Sequence, residues 1–217
     1  MLQNLLIKGT LTCTAMVMML ATVGCQTTWN HDGLSNDTFS DPHLTVTDVQ
    51  LILTHAEAAA NTEPSLLRVD ALGVQRTCKM HIIVMNRLGY VIGRRSMDDA
   101  WEGSVSIAKA KAFTAMAFSS NENALTTRSI GTLTQPGGAL WNIGNSNIEH
   151  GIIEFPGGIP LYKDGKLVGA IGVSGDGVDQ DENVAKAGAL GYEPLSVIRI
   201  DYVTNRGIPY TSQSSGK

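Results

Sequence analysis

The 217-residue chain sets 16 Lys and Arg against 20 Asp and Glu, a formal net charge of −4, and an acidic balance excludes nucleic acid or an anionic lipid face as the main partner. Its three cysteines, Cys13, Cys25 and Cys78, supply neither a disulfide framework nor a zinc-ligand spacing.

Lys8 precedes an uncharged stretch from Gly9 to Val23 rich in Leu, Met, Ala and Thr. Its continuous apolar part is shorter than the roughly 18 residues of a spanning helix, so residues 1–24 read as a secretory signal. Leu20-Ala-Thr-Val-Gly-Cys25 resembles a bacterial lipobox, which makes Cys25 the expected lipidation site and a lipid anchor the expected membrane contact. Thr22 departs from the aliphatic residue usual at its place, and cleavage nearby with release of a soluble periplasmic protein stays open. Gln26 is not the aspartate of a retention signal, so the expected location is the periplasm or cell envelope, at the outer membrane. Residues 25–43 are polar and lack periodicity, as suits a tether.

One domain is expected over 44–204, followed by a flexible tail at 205–217. Val49, Ile52, Leu53, Ala56 and Ala60 recur at helical steps, with Thr47 as the expected cap and Asp48 in the first turn. Pro64 resets the chain before an apolar turn at Leu66 and Leu67. Met80 to Met85 and Tyr90 to Arg95 flank Asn86-Arg-Leu-Gly89 and read as a hairpin of two central strands. A helix follows from about Gly103 to Ser119, its stripe formed by Val105, Ala108, Ala112, Ala115 and Met116, with Lys109 and Lys111 off that stripe. A looser region rich in Asn, Thr and Gly comes next.

Strands are then predicted at 151–155, 159–163 and 166–173. Asp164-Gly165 between the last two favours a type I′ turn. Pro156-Gly157-Gly158 reads either as a tight turn or bulge, or as a close approach by another backbone or a ligand. A helix from about Val178 to Leu190 and a last strand from Ser196 to Val203 complete the pattern. Hairpins and helices are segregated, which gives an α+β domain.

Few residues carry chemistry. His81 shares a strand face with Ile83 and Met85, and a histidine with a methionine two steps away offers soft donors to a haem iron; the competing reading is a core histidine. Tyr90, Arg94, Arg95, Lys109 and Lys111 supply a phenol and cations able to meet carboxylates such as haem propionates, against a solvated charged face. Cys78 reads as a small buried hydrophobe or as an iron or inter-subunit thiol. His150, beside Gly151, reads as a loop ligand or a solvated histidine, and His55 as exposed. Ser174-Gly-Asp-Gly177 reads as structural capping, since Asp176, Asp179, Asp181 and Glu182 would repel a phosphate. No triad, nucleophile elbow or catalytic carboxylate pair is present, so no catalytic residue is assigned.

Ser96-Met-Asp-Asp-Ala100, Ile107-Ala-Lys-Ala-Lys-Ala-Phe113, Gln135-Pro-Gly-Gly138, Phe155-Pro-Gly-Gly-Ile-Pro-Leu-Tyr162, Gly169-Ala-Ile-Gly-Val-Ser-Gly175 and Gln180-Asp-Glu-Asn-Val-Ala-Lys-Ala-Gly188 stand in an order that resembles the GlcG/HbpS-like proteins, over about Leu44 to Leu190. The resemblance implies a profilin-like α+β fold, an antiparallel sheet flanked by helices in a single domain, with a tendency to form homo-oligomers. It implies haem, or a similar small molecule, as cofactor and a role in haem sequestration, sensing or transfer at the bacterial envelope. A haem-degrading or oxidative accessory enzyme, and a cofactor-free oligomeric scaffold with an envelope redox partner, are the alternatives. The chain has Val84-Met85-Asn86 where relatives often read Val-Val-Asp, and Gly89-Tyr90 where they often read Gly-His. On that basis His81 and Tyr90 are the expected iron ligands, with Met85, Arg94 and Lys111 beside the cofactor.

Overall fold

The structure, a computed structural model, describes residues 42–204 and 207–212. The signal 1–24, Cys25, the tether up to residue 41, and residues 205–206 and 213–217 of the tail lie outside the described residues. Among the described residues no helix is long and apolar enough to cross a membrane.

Helix α1 (Val46–Ala60) buries the predicted stripe Val49, Ile52, Leu53, Ala56 and Ala60. Its cap is Thr45 rather than Thr47: the Thr45 side chain accepts from the Asp48 backbone N–H while the Asp48 carboxylate accepts from the Thr45 N–H, so each satisfies an otherwise orphaned donor. Burial pushes the Asp48 carboxyl up, but hydrogen bonds from Lys163, Tyr192 and Thr45 outweigh it and hold it below the usual carboxylate range. Leu66 and Leu67 form no turn; they stand exposed on β1 (Pro64–Val69), which pairs with β2 (Gln75–Thr77) in a small two-stranded sheet.

The main sheet is antiparallel with order β4-β3-β6-β5, from β3 (His81–Asn86), β4 (Val91–Ser96), β5 (Gly158–Lys163) and β6 (Lys166–Ser174). Only β3 of the first hairpin is central. The β4 strand lies at the sheet edge and leaves Val91 and Ile92 exposed. Asp164 and Gly165 both have positive φ, 52° and 74°, as a type I′ turn requires.

Helices cover both faces. On one, α1 and α4 (Val178–Gly188) pack with Met80, Ile82, Val84, Ile171 and Val173. On the other, α2 (Ser104–Ala117) lays Ala108, Ala112, Ala115 and Met116 over Ile83, Met85 and Ala170. The alternation expected of β3 is therefore met, one face for each core. Small residues on β6 let α2 come close: a Cβ added at Gly172 would lie 2.1 Å from the Ala108 carbonyl oxygen.

Three segments differ from expectation. The looser region contains α3 (Thr127–Leu133), whose Thr126 cap and Ser129 exchange side-chain hydrogen bonds. Residues 151–155 form no strand. Residues 196–203 form a 3-10 turn (Ser196–Ile198) and the one-turn helix α5 (Ile200–Val203), and Ile200, Ile208 and Tyr210 pack on Ala124, Tyr162 and Leu167.

Candidate ligand cleft

The first hairpin does not assemble a pocket from its candidate residues. His81 is 2% exposed and both ring nitrogens are engaged. Nε2 lies 3.0 Å from the Trp101 carbonyl oxygen, and because a carbonyl only accepts, Nε2 carries a proton. Nδ1 lies 2.9 Å from Ser96 Oγ, which accepts from Arg94 Nε at 2.9 Å and so has its own proton free for the imidazole. The chain from Arg94 through Ser96 and His81 to Trp101 ties the two strands to the loop that follows them, which is the work of a core histidine. Met85 is sealed in the α2 cluster, while Tyr90 is 45% exposed at the hairpin turn. Cys78 is buried and free, and burial, with Asp176 and Glu63 nearby, pushes its thiol up to about 12, which leaves it inert. The structure leaves His81 and Met85 buried and engaged and Tyr90 exposed at the turn, so as a set they do not fit a haem.

Lys111 is the clearest departure from the sequence pattern. Expected off the helical stripe, it is 0% exposed, because α2 is covered on a second side by the segment leading into β5. Its Nζ donates to Asp181 Oδ2 at 2.6 Å and to the Val173 carbonyl at 3.0 Å, and stands 5.3 Å from the centre of the Phe155 ring. Burial lowers the Lys111 amine despite Asp181, and burial raises the Asp181 carboxyl to about 6 despite Lys111. Beside this pair, Arg128 on α3 donates through Nε to both Glu182 oxygens at 2.9 and 3.0 Å and through NH2 to Asp179 at 2.5 Å. The acids at the start of α4 thus complement the helix dipole and also hold α2 and α3. Asp176 accepts from Ser65 Oγ and from the Leu66 N–H at 2.7 Å, which makes Ser174-Gly-Asp-Gly177 a structural joint, as read from its charges.

The glycines of Pro156-Gly157-Gly158 serve this packing. A Cβ at Gly158 would meet the Lys111 carbonyl oxygen at 2.3 Å, and one at Gly157 would meet the Val173 carbonyl oxygen at 2.6 Å and Lys111 Nζ at 2.8 Å. Of the two readings of this motif, close approach of another backbone is the one realised.

Immediately before those glycines the chain borders a cleft of about 340 Å³ lined by residues of the 141–145 turn, by residues 152–155 and by Thr134. That volume lies at the small end of ligand pockets. Trp141 and Phe155, 54% and 42% exposed, supply flat apolar walls, Ile152 and Ile153 an aliphatic surface, and Glu154 the acid. Glu154 Oε1 accepts from the Gly144 N–H at 3.1 Å and so links the two sides. On the α2 side, the Ile153 N–H donates to Thr114 Oγ1 at 2.9 Å, and the His150 ring packs edge-on against Phe113 with centroids 5.1 Å apart. Apart from His150 these residues escaped sequence reasoning, because the region has no periodicity; its one signal was Trp141, a large aromatic among Asn and Gly. Among the described residues no group of three or more His, Cys, Asp or Glu is arranged to hold a metal ion. A flat ligand stacking on Trp141 and Phe155 is what the cleft accommodates. Those two aromatic walls match the flat face of a haem, which the first hairpin does not.

Comparison with known proteins agrees with the architecture. The family model described as "Haem degrading protein HbpS-like" matches residues 44–190. An uncharacterised 15.0 kDa protein from Citrobacter freundii is 32% identical over 118 residues, covering 54% of this chain and 79% of that one. Among solved structures, the Klebsiella pneumoniae protein ORFY superposes with a TM-score of 0.57 at 26% identity, covering 72% of this chain and 94% of its own. The PduOC–haem complex does so with a TM-score of 0.57 at 25% identity, covering 69% and 94%. The α+β fold, the order of motifs and the match over most of the folded chain agree, and the chain belongs to the HbpS-like family.

Proposed function

We propose that this chain is an exported haem-binding protein of the bacterial envelope, one that sequesters, senses or passes on haem, and that the cleft beside Trp141 and Phe155 is where the haem sits. The observation that carries this reading is the pair of exposed aromatic walls in a family with a haem complex among its solved relatives. When bound, haem would supply an iron centre; the chain's own residues would stack on its faces, exclude water through Ile152 and Ile153, and set its orientation through Glu154. Titration of the purified protein with hemin is expected to give a saturable Soret shift. Trp141→Ala and Phe155→Ala are each expected to weaken it about tenfold, as loss of about 1.4 kcal/mol of stacking implies. A wild-type titration without saturation overturns the reading.

Export rests on residues 1–25. Metabolic labelling with a radioactive fatty acid is expected to mark the wild-type protein in the membrane fraction and to leave Cys25→Ser unlabelled. Equal labelling of both would remove Cys25 as the anchor. A homo-oligomer is part of the same proposal, and the edge strand β4 with its exposed Val91 and Ile92 is a surface able to serve it.

A further inference from the structure

We infer that this cleft recognises the flat ring of a tetrapyrrole rather than the metal at its centre, so that it takes iron-free porphyrins as readily as haem, an inference that rests on the haem-binding reading above. The make-up of the lining is the first argument. Haem iron is held by histidine, cysteine, methionine or tyrosine, and among the described residues none of these lines the cleft. The polar side chains that do are Thr134, Asn142, Asn145 and Glu154. Glu154 is a hard carboxylate, of the kind that suits Mg, Ca or Mn, and its Oε1 is already tied to the Gly144 N–H at 3.1 Å. His150 lies outside the lining, with its ring packed on Phe113.

Rigidity of the walls is the second. The Trp141 N–H donates to the Gly138 carbonyl at 3.2 Å and the Ile143 N–H to the Leu140 carbonyl at 3.0 Å, which fixes the turn that carries the indole. On the other side two glycines clamp Glu154: a Cβ added at Gly131 of α3 would lie 2.1 Å from its carbonyl oxygen, and one at Gly144 would lie 2.7 Å from its Oε1. Phe155 follows in the chain, with Lys111 Nζ 5.3 Å from its ring centre. Both aromatic surfaces are thus carried on backbone that is in place before a ligand arrives. Stacking on preorganised surfaces avoids the ordering cost that a bond to the metal would otherwise have to offset.

Charge is the third. Among the described residues the lining holds one acid and no lysine or arginine. Lys111 is sealed behind it and paired with Asp181. The carboxylates of a porphyrin therefore find no cation in the cleft and are repelled by Glu154, so the ring enters by its apolar edge and keeps its propionates in water.

The test titrates the full-length wild type with hemin and with protoporphyrin IX, which has the same ring and propionates and no metal, following the quenching of tryptophan fluorescence. The two dissociation constants are expected to agree within about threefold. Trp141→Ala and Phe155→Ala are each expected to weaken both probes by a similar factor, and raising the salt about tenfold is expected to change either affinity by less than about twofold, because no ion pair is there to be screened. Hemin binding about tenfold or more tighter than protoporphyrin IX, or variants that weaken hemin alone, overturns the inference while leaving haem binding intact. A steep loss with salt would put the propionates on cations and overturns the orientation. Saturation by protoporphyrin IX without saturation by hemin removes the haem-binding reading and the indifference to metal together, and failure of both probes to saturate removes them as well.

Discussion

Lys111→Met is expected to lower the unfolding free energy by about 3–5 kcal/mol, the usual cost of removing one partner from a buried ion pair. Without the Nζ donor, Asp181 would keep a carboxylate with 3% side-chain exposure and a single remaining hydrogen bond, from the Asp176 N–H at 3.1 Å. The Val173 carbonyl would lose a donor too. Urea unfolding measures the loss. The double variant Lys111→Met with Asp181→Leu is expected to recover most of it, because two apolar side chains of similar volume leave no buried charge behind. A single variant within 1 kcal/mol of wild type would mean that the pair does not hold α2 to α4.

The same pair predicts a pH dependence. Asp181 releases its proton near 3.8 in the unfolded chain and near 6 in the folded one, chiefly through burial. Between those values the folded state binds the additional proton, so this contribution is fully present below about pH 4 and declines as pH rises to about 6. Asp48 acts in the opposite sense, since its folded carboxyl is held below the usual range; its contribution is present above its unfolded value and is lost as pH falls below it. The two windows do not overlap, and Asp181→Asn is expected to remove the decline between pH 4 and 6 alone.

How far a sequence could disclose this arrangement depended on whether each signal was local. The Asp164-Gly165 turn needs only two residues with positive φ, and the stripes of α1 and α2 need only period; all of these were legible. The opposed faces of β3 followed from alternation. Lys111 was not legible, because a helix with one covering neighbour would leave it in solvent, and nothing in α2 announces that Gly157 and Gly158 bring a second layer onto that side. The segment 196–203 alternates like a strand but has no ladder to join; among the described residues its one bridge is Ala124 with Arg199, so its backbone closes local turns instead. The cleft depends on the 141–145 turn meeting residues 152–155, a contact set by three-dimensional packing and carried by residues without period. His150 was visible as a residue but not as a geometry: its φ and its contact with Phe113 exist only in the fold.

Gly172→Ala is expected to be nearly as damaging as loss of the ion pair, although it adds one methyl group. The new Cβ would lie 2.1 Å from the Ala108 carbonyl oxygen and 2.5 Å from the Ala112 amide nitrogen. Both obstacles are backbone of α2, so no side-chain rotation relieves them. The helix must lift from the sheet, and lifting it loosens Ala108, Ala112 and Ala115 against Ile83, Met85 and Ala170. Overpacking of this kind costs about 1–3 kcal/mol where side chains can yield, and a rigid helix places this site at or above the upper end. At about 2–4 °C per kcal/mol for a domain of this size, the melting temperature is expected to fall by roughly 6–12 °C. Gly165→Ala provides the contrast. Nothing lies within 4 Å of its added Cβ, so its cost is only the backbone strain of a positive φ, on the order of 1 kcal/mol. Calorimetry of the two variants separates steric exclusion from loss of glycine's freedom: equal shifts would mean that α2 is not pressed onto β6 at Gly172, and that the close approach on which both the sheet core and the burial of Lys111 depend is looser than the fold requires.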